Sequence, residues 1–194
     1  MSPAIAEIRA GHQDVTYLLS VLSRQIGAFR AGRTPDLELM SDILSRLNAY
    51  AADGRHGKER STIERIAKRN FAAAPNAVTL TTEHAEIHKL GRRLLSVLND
   101  ITQGLLLPRS ALVEPGRRYV RMFRGHLHRE RTYLRRYGGG FSDPAWSPDS
   151  TDRVPRGAAE GLGALRDRIF SARRNTRLVT RDERVCDACD IGAG

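Results

Sequence analysis

Residues 50–66 read YAADGRHGKERSTIERI. Taken one residue at a time, the run is surface charge. Taken by helical phase, it divides. Glu59 lies two turns after Ala51 and in step with Ile63 and Ile66, so a carboxylate falls on the apolar line. Arg55 falls on that line too, four after Ala51 and four before Glu59. His56 lies one turn before Glu59 but off the line, and reaches the same place only if the helix adjusts at Gly54 and Gly57. A charge aimed into a core is costly unless it is paired or binds a metal. The fold turns on what the rest of the chain aims at the same place.

Outward from this stretch the chain reads as helices. Residues 4–29 repeat apolar positions at steps of three and four, through Ile5, Ile8, Val15, Leu19, Leu22 and Ile26. Gly32 and Pro35 break that pattern. A second pattern starts near Asp36 and runs through Met40, Ile43, Leu44 and Leu47 to Ile66. A third carries Leu80, Ile87, Gly91, Leu94, Leu98, Ile101 and Leu105, with Pro108 closing it. A fourth covers roughly 109–137, with Leu112, Tyr119, Met122, Phe123 and Tyr133 in phase. Four amphipathic helices with short connections predict an all-α, up-down-up-down four-helix bundle over residues 1–137. Residues 138–194 read as a C-terminal extension: a Gly- and Pro-rich linker, a short helix at 158–174 and a basic tail.

The histidines follow the same phase. His12 is in step with Ile8 and Val15. His84 and His88 are four apart and share a face with Leu80 and Ile87. His126 and Glu130 are four apart and in step with Phe123 and Tyr133. His128 lies about 200° around the helix from His126 and faces away. Imidazoles inward on three helices, with carboxylates inward on two, are the pattern by which bundle cores hold metal ions. This donor set suits iron, zinc or manganese. A hydrogen-bonded polar network in a partly solvated core is the competing reading.

The chain resembles the hemerythrin-like, or HHE cation-binding, family. The resemblance rests on AGHQDV with His12, RHGKER with His56 and Glu59, TEHAEIH with His84 and His88, and HLHRE with His126 and Glu130. It covers about residues 4–137. It implies a four-helix bundle with a di-iron centre that binds dioxygen or a related small ligand. By the resemblance, Glu59 and Glu130 are carboxylates that bridge two metals. His84 and His126 are ligands of one metal, and His12 is a ligand of the other. His88 matches the second histidine of an H-x-x-x-H pair found in part of the family. Two departures stand out. Arg55 occupies the place of the family's first histidine in H-H-x-K-E, and a guanidinium cannot ligate a cation. In part of the family the helix 4 bridge sits five residues after the histidine, which is Arg131 here; in others it sits four after, which Glu130 satisfies. A single metal, zinc or manganese in place of iron, and a site with no metal therefore stay open.

Composition narrows the classes. The 194 residues suit one domain with an appendage. The two cysteines, Cys186 and Cys189, make no disulfide framework. No stretch reaches the ~18 apolar residues of a membrane span, and residues 1–13 lack the pattern of a secretory signal. The expectation is a cytoplasmic protein that binds rather than catalyses. Net charge +10 draws anionic partners. The alternative function is thus a degenerate scaffold that engages nucleic acid or an acidic protein through its basic tail.

Overall fold

The structure, a computed structural model, describes residues 3–52 and 55–139, together with Leu165 and Ile169. It is all-helical, and no strand occurs among the described residues. The order is α1 (Pro3–Arg30), α2 (Leu37–Ala52), α3 (Arg55–Arg69), a 3₁₀ turn (Phe71–Ala73), α4 (Ala74–Thr102) and α5 (Ser110–Tyr137). No helix among the described residues is long and apolar enough to cross a membrane.

Local chemistry sets the boundaries. α1 and α4 both end on a glycine with positive φ, Gly32 at 82° and Gly104 at 87°. After each, the chain folds back: Arg33 N–H donates to the Ala28 carbonyl at 3.0 Å, and Leu105 N–H to the Asp100 carbonyl at 3.0 Å. These glycine-closed ends satisfy carbonyls that a helix otherwise leaves open. Asp36 caps α2, its carboxylate accepting the Leu39 N–H at 2.9 Å. Its own N–H donates to the Gln25 side chain at 3.0 Å, which fixes the turn from α1. Pro75 stands in the first turn of α4, where its missing N–H costs nothing.

The second helical pattern is described as α2 and α3; residues 53 and 54, between them, lie outside the described residues. One feature differs from the sequence reading. Leu105 continues the stripe of α4 in sequence but is exposed, because Gly104 has already ended the helix.

α1 packs on α5, α5 on α4, and α4 on both α2 and α3, which in turn meet α1. Two apolar clusters result. The larger contains Val15, Leu22, Leu44, Leu94 and Phe123. The smaller contains Ile5, Ile8, Ile63, Leu80 and Tyr133. Leu165 and Ile169, helical and buried, belong to the larger cluster, so the C-terminal region contributes to the core. They fall within the short helix expected at 158–174; the remainder of that helix, and Cys186, Cys189 and the basic tail, lie outside the described residues.

Gly91 shows how closely the larger cluster is packed. A methyl group there would fall 2.0 Å from Asn48 Oδ1 and 3.1 Å from Cε2 of Tyr119. Overpacking of this kind costs about 1–3 kcal/mol, against about 1 kcal/mol gained when alanine replaces a helical glycine. Gly91→Ala should therefore lower stability to urea. Asn48→Ala in the same chain should restore part of the loss, because it removes the atom in the way.

Candidate metal centre

Between the two apolar clusters lies a polar layer. On α1, His12 follows Ile8 of the smaller cluster and precedes Val15 of the larger. On α4, His84 stands between Leu80 and Ile87 in the same way. On α5, His126 and Glu130 lie between Phe123 and Tyr133, and on α3 Glu59 lies one turn before Ile63. All five are buried, and His12, His126 and Glu130 have no exposed surface.

The five form two groups that share one member. His84, His126 and Glu130 bring ligand atoms within 4.8 Å of one another, and so do His12, Glu59 and Glu130. Glu130 Oε2 lies 3.2 Å from Nε2 of His12 and 3.2 Å from Nε2 of His126. Glu59 Oε1 lies 3.5 Å from His12 Nε2. The His84 and His126 rings meet edge to face, with centroids 4.4 Å apart.

These approaches are close without being aligned hydrogen bonds. Among the described residues, neither oxygen of Glu130 and neither nitrogen of His12 has a hydrogen-bond partner. Buried polar atoms in that condition call for a ligand, a water or an ion. A cation in each group would satisfy Glu130 from both sides, and the imidazole and carboxylate donors fit a divalent transition metal.

A second tier of contacts orients the layer. Tyr50, near the end of α2, donates its hydroxyl to Glu59 Oε1. Glu83, beside His84 on α4, lies 2.9 Å from Nδ1 of His126. With Nδ1–H on Glu83, Nε2 is the nitrogen of His126 that faces Glu130, free to hold a proton or, when deprotonated, a cation between them. Arg129 Nη2 holds the other Glu83 oxygen at 2.7 Å. Neither Tyr50 nor Glu83 stands out in the sequence. The only signal for Glu83 is its place in TEH, next to a candidate ligand.

The electrostatics follow from this packing. Burial alone would lower the pKa of His12, but Glu130 and then Glu59 outweigh it and raise it to about 9. His126 is likewise raised, burial being overcome by Glu130 and then Glu83. Burial would raise Glu130, but His12 and His126 hold it well below the usual carboxylate range. Glu59 is raised, by burial first and by the Glu130 charge second. Burial and the neighbouring His126 push His84 down to about 4. In the metal-free protein, protons on imidazoles therefore balance the carboxylates.

The remaining sequence candidates fall elsewhere. His88 is half-buried on α4 and belongs to neither group. His128 is exposed. Arg55 and His56 belong to the first turn of α3, and their side chains lie outside the described residues. Compared with known proteins, the chain matches no family model, no curated protein and no solved structure.

Three outcomes follow. A cation at His12 must displace its proton, so metal affinity should rise as pH climbs from about 6.5 to about 9. Calorimetry with Mn²⁺ in buffers of different ionisation enthalpy should show proton release across that window. In the metal-free protein the signs differ for the two histidines. The His12 contribution to stability is full below about 6.5 and is lost as pH rises through about 9; the His84 contribution is full above about 6.5 and is lost as pH falls towards about 4. Glu83→Gln should weaken Mn²⁺ binding by about 10–100-fold, the usual effect of removing a carboxylate behind a metal-bound histidine.

Proposed function

We propose that this chain is a hemerythrin-like metal-binding protein whose polar layer holds iron, with donors for two ions, and binds dioxygen or a related small ligand. The observation that carries the reading is Glu130, a fully buried carboxylate common to both donor groups. A carboxylate in that position would serve both cations, as in carboxylate-rich bundle cores. His84 and His126 would complete one side, and His12 with Glu59 the other. Two imidazoles and one carboxylate are also the donor set that holds non-haem iron with positions left open. The up-down-up-down order belongs to the same reading, since the connections at 31–36 and 103–109 are short.

Each residue has a part that its contacts support. Tyr50 holds Glu59 in place, and Glu83 fixes which nitrogen of His126 faces inward. The apolar clusters on both sides keep bulk water from the layer. His12 and His126 carry protons when no cation is bound and give them up as one binds. Iron held there would supply reversible electron transfer to a bound small ligand. Roles in oxygen or iron sensing, or in handling oxidative and nitrosative stress within the cytoplasm, fit such a centre better than turnover of an organic substrate.

Arg55 sets the main question of stoichiometry. It occupies the position where the resemblance expects a ligand on the His12 side. Iron content after growth in iron-replete medium, with the visible spectrum in air, tests the proposal. Wild type should carry iron, and Arg55→His should raise the content towards about two irons per chain. Glu130→Gln should lose iron from both groups while remaining helical by circular dichroism. A wild-type chain that stays iron-free in excess iron would sink the reading.

A further inference from the structure

A cavity of about 270 Å³ opens between α4 and α5, beyond the metal groups towards the end of α5. Leu80 and Asn76 of α4 and Arg129, Tyr133, Arg136 and Tyr137 of α5 contribute to its wall. We propose that it is a binding site for a small aromatic carboxylate, with Arg136 receiving the carboxylate and the two tyrosine rings facing the arene.

Charge selects the sign of the ligand. The lining holds two guanidinium groups and no carboxylate. Arg129 is already engaged by Glu83 at 2.7 Å. Arg136 makes no ion pair among the described residues; its guanidinium carbon lies 5.4 Å from the centroid of the Tyr137 ring. A guanidinium stacked on a ring keeps its planar set of N–H groups for an acceptor of matching shape, and a carboxylate is that shape.

The wall selects the body. The Tyr133 and Tyr137 rings lie 5.2 Å apart at 58°, making a bent aromatic surface. Tyr133 is anchored, because its hydroxyl donates to the Ile63 carbonyl at 3.0 Å. Leu80 is buried beside it and adds apolar surface. Pockets for drug-sized ligands run from about 300 to 1,000 Å³, so this smaller cavity suits a single ring. Asn76 on the opposite wall supplies an amide for a ring substituent.

The pocket also adjoins the metal layer through one side chain. Arg129 lines it, Glu83 holds Arg129, and the second oxygen of Glu83 lies 2.9 Å from His126. A ligand here therefore sits a few contacts from a candidate metal ligand, yet binding it requires no metal.

The test is calorimetry of the full, chelator-treated chain with sodium benzoate, and separately with inorganic phosphate. Benzoate should bind saturably with Kd of about 1 mM or tighter, and phosphate should fail to displace it. Arg136→Gln should weaken benzoate at least tenfold, and Arg136→Lys should fall between, since it keeps the charge and loses the fork. Arg136 is exposed, and unchanged thermal melting of both variants would separate lost binding from lost folding. No saturable benzoate binding, equal affinity in Arg136→Gln, or displacement by equimolar phosphate would overturn the proposal. Because no metal is present, these results stand apart from the iron reading.

Discussion

The arrangement depends on a carboxylate with no access to water. Glu130 faces His12 of α1 and His126 of its own helix at 3.2 Å each. An ionised carboxylate buried alone would cost many kcal/mol, so positive charge must meet it, whether as protons on the imidazoles or as a metal. That requirement sets the rest of the layer. His12 has to come inward on α1, His84 and His126 have to meet between α4 and α5, and Glu59 has to arrive from α3. The two apolar clusters lie on either side of this layer. The layer ties α1, α3, α4 and α5 together at one level, which a continuous apolar core would not require.

The second tier fixes the geometry of this layer. Glu83 holds one nitrogen of His126 and leaves the other facing Glu130. Tyr50 holds Glu59 Oε1, the oxygen that also lies 3.5 Å from His12. Replacing the His12 proton with a divalent cation would add one positive charge beside the Glu59 and Glu130 carboxylates and would add directional bonds.

Much of this was legible in the sequence, and the reasons are specific. The inward positions of His12, His84, His126 and Glu130 follow from phase with neighbours such as Val15, Ile87 and Tyr133, since a helix of constant pitch carries phase faithfully. The end of α1 was signalled by Gly32 and Pro35. Phase also concealed one thing. Leu105 kept step with α4 after Gly104 had ended it. Glu83 and Tyr50 were illegible for another reason. Glu83 lies off the core line of α4, Tyr50 lies among the apolar residues of α2, and each acts through a distance between helices, which one-dimensional spacing does not contain.

The most direct measurement of the central claim is anomalous X-ray scattering from crystals of the chain soaked in a transition metal. The account predicts a peak within bonding distance of Glu130 and of at least one of His12, His84 and His126, with Glu130 touching both peaks wherever two appear. A peak confined to surface histidines such as His128, or none in the polar layer at saturating metal, would contradict it.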